Sequence, residues 1–249
     1  MRKLSATIIT LNEQHNIGRC IDSLKGLVDE VIVVDSGSTD RTVEIAEGKG
    51  AKVFAKEWSG YSNQKNWANE QSSNDLILSL DADEELSSEL MSSIKNVLSD
   101  AGNSFKFARK ANYCGVWINH TGWYPDTKFR IFNRTNTRWE GTIHESLKSS
   151  DSEPVHLKGD LLHYSYRSIS EHVAQSDKFS HLSALALFQS GKKPSFFKMI
   201  VNPVVRFIKF YFTKLGFLDG KYGFIISVIS AHEVFLKYAK HWQMKESRK

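Results

Sequence analysis

The chain is poor in the features that mark several common classes of protein. Its 249 residues include two cysteines, Cys20 and Cys114, which lack the spacing of a metal site and allow at most one disulfide. A reducing compartment is therefore expected. No apolar leader precedes the first polar break at Asn12, so the sequence predicts a cytosolic protein.

Two phosphate-binding motifs are also missing. No Gly-x-Gly-x-x-Gly follows the first predicted strand, and Gly-x-x-x-x-Gly-Lys-Ser/Thr occurs nowhere in the chain. Neither a dinucleotide-binding loop nor a P-loop is therefore indicated. Any phosphate that the protein binds must be neutralised in another way.

Charge is distributed unevenly along the chain. The net charge is +5, but residues 192–249 contain 12 Lys/Arg against 3 Asp/Glu, a balance of +9, which leaves −4 for the remainder. The basic segment is interleaved with Phe, Ile and Val. This pattern favours an anionic membrane surface as partner rather than nucleic acid.

Short apolar runs alternate with helical stretches over the first 80 residues. Strands are predicted at Leu4–Leu11, Glu30–Val34, Ala51–Ala55 and Asp75–Leu80, and helices at Ile17–Leu27, Arg41–Gly48 and Gln64–Gln71. This alternation predicts an α/β fold with a mostly parallel sheet and helices on both faces. The content of 41% hydrophobic residues is sufficient for one large core.

Polar residues follow three of these strands where each strand ends. They are Thr10, Asn12 and Glu13 after the first, Asp35 and Ser36 after the second, and Asp81 and Asp83 after the fourth. Ligands of open α/β sheets bind beyond the carboxyl ends of the strands, so these groups are expected to share one site. A carboxylate such as Asp35 suits a ribose or the edge of a base, although it also suits the cap of the next helix.

Asp81 and Asp83 are the expected metal ligands. In a strand, residues two apart project to the same side, and two adjacent carboxylates repel each other unless a cation lies between them. Mg²⁺ or Mn²⁺ fits such oxygen ligands, and Lys65 is expected to help neutralise phosphate. The alternative is that Asp83 or Ser87 caps a helix beginning near Glu84.

Four stretches together resemble a known family. They are Thr7 to Glu13, Val33 to Asp40, Gly60 to Ala68 and Leu80 to Glu84. In order and spacing they resemble the nucleotide-sugar motifs of family 2 glycosyltransferases with the GT-A fold, over roughly residues 4–165. Three stretches are similar to those of one group within this family, the bacterial lipopolysaccharide core glucosyltransferases: Gln64-Lys65-Asn66, Lys128 to Phe132 and Ile143-His144-Glu145.

The resemblance implies specific roles. Thr10, Glu13 and Asp35 would hold the nucleoside, usually uridine, and Asp83 would reach the metal on the diphosphate, with Asp81 and His144 as further candidates. The sugar would be transferred with inversion to a lipopolysaccharide-core, lipid-linked or other cell-envelope glycan.

The half of the chain after Asp83 is expected to bind the acceptor. Shorter strands are predicted at Ser104–Ala111, Val116–Asn119, Lys128–Phe132 and Val155–Leu162, and the candidate acceptor or phosphate contacts are Trp123, Asp126 and Arg130. An inverting transferase needs a carboxylate that removes the proton of the attacking hydroxyl. Glu145 is preferred because His144 adjoins it and the Ile-His-Glu element resembles the family's; Glu140 is the alternative.

The sequence predicts a catalytic region at residues 1–191 and a helical tail at residues 192–249. A predicted helix at Ser170–Gln189 closes the catalytic region. In the tail, a helix is predicted at Ser195–Leu215 with a bend at Pro203, and it carries a narrow polar stripe on a broad apolar face. With a second segment at Gly223–Tyr238, it suits flat insertion at the inner face of a bacterial membrane. Core or dimer helices are the alternative.

Two other classes of function stay open at this point. A sugar-phosphate nucleotidyltransferase can share the fold, but a glycine-rich and basic loop is expected after its first strand, and Leu11 to His15 has neither property. A non-catalytic peripheral membrane scaffold would account for the tail but not for the polar residues at the strand ends.

Overall fold

The computed structural model describes residues 2–98, 104–141, 145–150 and 153–246. The chain divides into a first unit, Met1–Arg109 with Asp126–Tyr164, and a second unit, Lys110–Pro125 with Ser165–Lys249. The second unit thus takes in residues 110–125 and 165–191, which the sequence assigned to the catalytic region. The functional division at residue 191 stays a prediction.

The first unit contains the predicted parallel strands. β1 (Leu4–Thr10), β2 (Glu30–Asp35), β3 (Lys52–Ala55) and β4 (Leu76–Asp81) lie in the order β3-β2-β1-β4, all parallel. The helices α1 (Ile17–Asp22), α2 (Thr42–Gly48) and α3 (Tyr61–Glu70) alternate with them. β1 has a partner on each side and is buried along almost its whole length, as its mostly apolar sequence predicts.

Antiparallel strands complete the sheet. β5 (Glu84–Leu86), β6 (Phe105–Tyr113), β8 (Asp126–Asn133) and β11 (Val155–Tyr166) extend the order to β4-β8-β6-β11-β5. The pairs β4–β8, β8–β6 and β11–β5 are antiparallel. β7 (Val116–Trp117) pairs with the end of β6, and β9 (Thr137–Glu140) and β10 (Ser146–Ser149) form a separate hairpin.

The segment after Asp83 is a short strand, not the start of a helix. Helix α4 (Ser88–Val97) begins after β5, and its N-cap is Ser87, whose Oγ accepts a hydrogen bond from Leu90 N at 3.2 Å. Gly159 lies against this helix start with φ +91°, and a Cβ there would stand 2.3 Å from Leu90 N. Only glycine allows β11 to pass so close to α4.

The second unit is built mainly from helices. α5 (Ile169–Gln189) matches the predicted closing helix, and α7 (Gly220–Glu246) is longer than the predicted second segment. The predicted helix Ser195–Leu215 is interrupted: α6 (Phe196–Ile208) contains Pro203 and is followed by a π-helical turn, Lys209–Thr213, and a 3₁₀ turn, Gly216–Asp219. Among the helices of the described chain, none combines the length and apolarity needed to cross a bilayer.

The segment from Phe196 to Leu218, here named the apolar segment, exposes an unusual amount of hydrocarbon. Phe196 is 62% exposed, Phe197 is 73% exposed and Leu218 is 57% exposed. Seven further large apolar side chains of this segment are also exposed: Ile200, Val204, Val205, Ile208, Phe212, Leu215 and Phe217. The segment carries four Lys/Arg and no Asp or Glu.

An aromatic cluster around Tyr113 forms part of the core of the second unit. The Tyr113 hydroxyl lies 2.9 Å from His172 Nδ1, and the ring contacts Trp123, Tyr166 and Tyr222 edge-on. Trp123, a predicted acceptor contact, therefore packs within this cluster. Its role in binding stays a prediction.

We expect the stability of the second unit to fall at mildly acidic pH because of His172. Burial lowers the pKa of His172 from 6.5 to about 4, so between these values the unfolded chain binds a proton that the folded chain does not. The free energy of unfolding should therefore decrease as the pH falls from 6.5 towards 4. Thermal melts of the wild type and of His172→Gln between pH 6.5 and pH 4 test this prediction. The variant should lack the part of the pH dependence that comes from His172. An NMR titration with a His172 midpoint near 6.5 would contradict the prediction.

Candidate active site

The carboxyl ends of β1, β2 and β4 meet at one edge of the sheet. Thr10 is in register with Asp35 on β2, and Ile9 is in register with Asp81 on β4. The sequence predicted this convergence from the strand ends alone. The edge therefore brings together hydroxyl, amide and carboxylate groups of three separate crossovers.

Asp35 orders the loop that follows β2. Its Oδ2 accepts hydrogen bonds from Gly37 N at 2.9 Å and Ser38 N at 2.8 Å. The alternative role as a helix cap is wrong, because Asp40 accepts the hydrogen bond from Thr42 N at the start of α2. Asp35 is 4% exposed, so it fixes the shape of this loop from beneath.

The loop after β1 is tied to the loop after β2. Asn12 has the left-handed φ of +56°, its N–H donates to Ser38 Oγ, and its Oδ1 accepts from Thr39 N, both at 2.8 Å. Glu13 Oε2 accepts from Asn16 Nδ2 at 2.7 Å. The buried Thr10 Oγ1 has no hydrogen-bond partner within the described residues, which leaves a hydroxyl available at the edge.

Three consecutive residues of α3 connect separate parts of the site. Gln64 Nε2 donates to Ser36 Oγ at 3.1 Å, and Asn66 exchanges two 2.9 Å hydrogen bonds with the backbone of Trp139. Between them, Lys65 is 3% exposed, and its Nζ lies 3.0 Å from Asp81 Oδ1 and 3.2 Å from Glu145 Oε1. Lys65 is therefore a buried bridge rather than a solvated surface lysine.

Eight side chains form an alternating series of ion pairs, here named the charge ladder. In order they are Lys128, Asp126, Arg109, Glu84, Arg130, Asp81, Lys65 and Glu145, with successive N···O distances of 3.0, 2.8, 3.2, 2.8, 2.9, 3.0 and 3.2 Å. The central members Glu84 and Arg130 are almost completely buried. Each interior member thus contacts two groups of opposite charge, which compensates the cost of burial.

The ladder keeps Asp81 and Arg130 ionised. Burial raises the pKa of Asp81, but the charges of Lys65 and Arg130 outweigh it and hold that pKa well below its usual range. Burial likewise opposes the charge of Arg130, yet Glu84 and Asp81 raise the pKa of its guanidinium. Arg130, predicted as an acceptor or phosphate contact, is thus committed to two carboxylates.

Removing Arg130 should destabilise the first unit strongly. Arg130→Met leaves the buried Glu84 carboxylate without its nearest cation, and breaking a buried pair on one side costs about 3 to 5 kcal/mol. Denaturant unfolding measures this loss in the free energy of unfolding. Arg41→Met is the control, because the Arg41–Glu44 pair is exposed and its loss should leave stability unchanged. Equal unfolding midpoints for both variants would contradict the prediction.

Asp81 and Asp83 do not both belong to a strand, as the predicted pairing of their side chains required. Residues 82 and 83 form a turn after β4, so the two-residue alternation of a strand ends at Asp81. Asp81 binds Lys65 and Arg130, whereas Asp83 Oδ2 lies 3.0 Å from His163 Nε2 on β11. The two carboxylates thus have different protein partners, and the expectation that they share one cation stays a prediction.

The residues present fit a divalent ion at Asp83. A partly exposed carboxylate oxygen and an imidazole nitrogen 3.0 Å apart are both ligand types for Mn²⁺, and Mg²⁺ is commonly held by one or two carboxylates with substrate phosphates. No cluster of three or more His, Cys, Asp or Glu suited to a metal occurs within the described residues. His144, the third predicted candidate, lies outside them.

Glu145 lines a cavity of about 540 Å³, together with ten other residues: Lys65, Asp81, Arg109, Thr127, Lys128, Phe129, Arg130, Trp139, Ser146 and Leu147. The alternative base, Glu140, is exposed at the end of β9 and is not part of this lining. Of the two predicted candidates for the base, Glu145 alone lines the cavity, and the choice between them stays a prediction. Asp126 joins the lining residues Arg109 and Lys128 through ion pairs.

Several members of the site were missed by sequence reasoning. They are Glu84, Arg109, Lys128, Trp139 and His163. Glu84 follows the Asp-Ala-Asp motif directly, which was a usable signal. Lys128 begins the stretch Lys128 to Phe132, which carries part of the family resemblance, but no role was predicted for it. Arg109, Trp139 and His163 lie on antiparallel strands and contact residues distant in sequence, so spacing alone gave no indication of them.

These features define a class of protein before any comparison is made. The parts expected of a nucleotide-sugar transferase are a sheet edge where polar loops of three crossovers meet, a carboxylate of a type that binds divalent ions, and a cavity lined by a further carboxylate. Residues 5–147 match the family model described as glycosyl transferase family 2. The chain belongs to this family, is a glycosyltransferase, and has the GT-A fold expected from its sequence motifs.

Two relatives of similar length, a rickettsial and a rhizobial protein, support the assignment. An uncharacterized glycosyltransferase of Rickettsia bellii is 38% identical over 96% of this chain and 86% of its own. The lipopolysaccharide core biosynthesis glycosyltransferase LpsC of Rhizobium meliloti is 32% identical over 96% of this chain and 92% of its own. The solved glucosyl-3-phosphoglycerate synthase of Mycobacterium tuberculosis, with Mn²⁺ and UDP, is 28% identical with a TM-score of 0.36, over 45% of this chain and 44% of its own.

Proposed function

We propose that the protein is an inverting, metal-dependent glycosyltransferase that moves a sugar from a UDP-sugar to a lipopolysaccharide-core or other cell-envelope glycan. One observation carries this proposal: Lys65 joins Asp81, at the carboxyl end of β4, to Glu145 at 3.0 and 3.2 Å, and all three residues line one cavity. Donor and acceptor groups would thus meet at this lysine. The similarity to LpsC over nearly the whole chain supports the acceptor class.

In the proposed reaction, the loops after β1 and β2 hold the nucleoside. Asp35 keeps the second loop in shape, and Thr10, Asn12, Glu13 and Ser36 border the same edge. The diphosphate would lie towards Asp83 and the Lys65 ammonium. A bound divalent ion would neutralise the charge that develops on the leaving diphosphate.

Glu145 is the proposed base. It would accept the proton of the acceptor hydroxyl as that oxygen attacks the anomeric carbon from the side opposite the diphosphate. Lys65 Nζ, 3.2 Å from Glu145 Oε1, holds the carboxylate in place before the reaction. The acceptor would occupy the 540 Å³ cavity, whose volume suits a small ligand or a sugar unit.

A binding screen tests the donor half of the proposal. Calorimetric titrations with UDP-, GDP- and CMP-sugars, each with and without Mn²⁺, should show binding of a UDP-sugar that weakens at least roughly tenfold in EDTA. Equal affinity in EDTA would contradict metal dependence. Release of diphosphate from a nucleoside triphosphate and a sugar phosphate would instead identify a nucleotidyltransferase, and absence of any nucleotide binding would favour a scaffold.

We further propose that the apolar segment places the enzyme on the inner face of the cytoplasmic membrane. Ten exposed apolar side chains alternate there with Lys198, Arg206, Lys209 and Lys214, without any acidic residue between Phe196 and Leu218. Apolar burial at the interface combined with basic residues matches an anionic lipid surface. This arrangement also suits an acceptor that is anchored in the membrane.

Charge insertion into the apolar segment should release the protein from vesicles. Phe197→Glu with Leu218→Glu removes two highly exposed apolar groups and adds repulsion from anionic lipid, so we expect at least a roughly tenfold loss of binding to phosphatidylglycerol vesicles. Flotation assays measure the bound fraction. Val173→Glu on α5, 45% exposed in wild type, is the control and should bind normally. Unchanged binding of the double variant would refute the membrane role.

A further inference from the structure

We infer that the cavity beside Glu145 recognises an acceptor sugar that carries an anionic group, a phosphate or a carboxylate, at the end formed by Lys128 and Arg109. This inference rests on the proposed function, because it takes the cavity as the acceptor site. Beyond the proposed function, it names a class of acceptor and two residues that recognise it, Lys128 and Arg109, which lie outside the motifs after β1, β2 and β4.

The first observation is an excess of cations around the cavity. Lys65, Arg109, Lys128 and Arg130 line it, against the carboxylates Asp81 and Glu145. Both of these carboxylates already contact Lys65. Glu84 and Asp126 balance the ladder as a whole through their pairs with Arg109, Arg130 and Lys128, but neither carboxylate lines the cavity, so the surface that a ligand meets is positive.

The second observation is the way in which the charge ladder ends. It alternates in sign from Glu145 to Lys128, so the end opposite the proposed base is a cation. The Lys128 side chain is 33% exposed, whereas the interior member Arg130 is 4% exposed. An anion at Lys128 would continue the alternation by one further step.

The third observation is that one carboxylate serves both cations at this end. Asp126 Oδ2 accepts from Arg109 Nε at 3.1 Å and Nη2 at 2.8 Å, while Oδ1 lies 3.0 Å from Lys128 Nζ. Although burial opposes it, Arg109 and Lys128 together lower the pKa of Asp126, so its single negative charge is shared between two positive ones. Asp126 thus holds the two cations side by side. Arg109 has a second carboxylate partner, Glu84 at 3.2 Å, whereas Lys128 pairs with Asp126 alone among the carboxylates of the described residues, so Lys128 is the cation placed to bind a second anion.

The inference assigns separate tasks to the two ends of the cavity. Glu145 would receive the attacking hydroxyl, and Lys128 with Arg109 would bind the anionic substituent of the same sugar or of its neighbour. Binding energy at the remote end would orient the hydroxyl towards the base. Lys128 and Arg109 are therefore specificity residues and not catalytic residues.

The test compares three sugars of similar size. Ligand-observed NMR titrations of the full-length protein, with UDP and Mn²⁺ present, use glucose, glucose 6-phosphate and glucuronate. We expect at least one anionic sugar to bind at least roughly tenfold more tightly than glucose, and the stronger of the two distinguishes phosphate from carboxylate recognition. Lys128→Gln should remove this preference, and Lys128→Arg should retain it.

Lys106→Gln is the matched control. Lys106 lies on the neighbouring strand β6, pairs with one carboxylate, Glu153, and has a side chain 28% exposed, but it does not line the cavity. It should retain the full preference for the anionic sugar. UDP binding in the same titrations reports on the donor site, so a failure of the proposed function would be visible separately. Equal or undetectable binding of all three sugars, or an unchanged preference in Lys128→Gln, would overturn the inference.

Discussion

Replacing Glu145 with glutamine should lower the rate of sugar transfer by about 10²- to 10⁴-fold, the usual contribution of a general base. The amide is nearly the same size as the carboxylate but does not accept the proton of the attacking hydroxyl. Donor binding should persist, because the nucleotide edge at Thr10 and Asp35 is formed by other residues. Single-turnover assays measure the rate, and UDP titration measures donor affinity.

Glu140→Gln provides the matched control for this experiment. Glu140 lies five residues earlier, on the exposed end of β9, and does not line the cavity. Its variant should transfer at close to the wild-type rate. If Glu145→Gln kept normal transfer while Glu140→Gln lost it, the role of base would belong to Glu140.

Asp83→Asn should reduce transfer by about 10³-fold, which corresponds to about 4 kcal/mol of lost transition-state stabilisation. The amide lacks the charge that holds a divalent ion, so the leaving diphosphate would keep its full negative charge. The fold should be unaffected, since Asp83 lies in a turn and its side chain is 25% exposed. Transfer assays with graded Mn²⁺ should show a raised metal requirement.

A control at the neighbouring carboxylate Glu85 distinguishes the loss of a metal ligand from the loss of a nearby negative charge. Glu85 on β5 has similar exposure, 27%, and accepts a 2.8 Å hydrogen bond from the Tyr164 hydroxyl, close in sequence to the Asp83–His163 pair. Glu85→Gln should therefore keep most of its activity and its metal dependence. Full activity of Asp83→Asn, or undiminished wild-type activity in excess EDTA, would refute the metal assignment.

The nucleotide half of the fold was accessible from sequence because its determinants are local. Each of β1, β2 and β4 is a short apolar run, and each is followed directly by the polar residues that reach the sheet edge. Strand direction then dictates that these ends meet. The order of the strands did not have to be known for the site to be predicted.

The antiparallel strands and the cavity were less accessible from sequence because their contacts are distant in sequence. Glu84 and Arg130 are 46 positions apart, and Lys65 and Glu145 are 80 positions apart. β5 is only three residues long, and its pattern resembles a helix start. The interruption of the helix after α6 was also missed. The apolar sequence continues without change through the π-helical turn to Leu215, whose backbone has the left-handed conformation.

The charge ladder also constrains how this enzyme and its relatives can diverge. Each interior member neutralises two neighbours, so a lineage that loses one charge inherits an unbalanced pair unless an adjacent position changes with it. Among homologues, Arg109 and Asp126, or Arg130 and Glu84, should therefore be exchanged jointly. Natural diversification should then proceed through paired substitutions in the interior of the ladder.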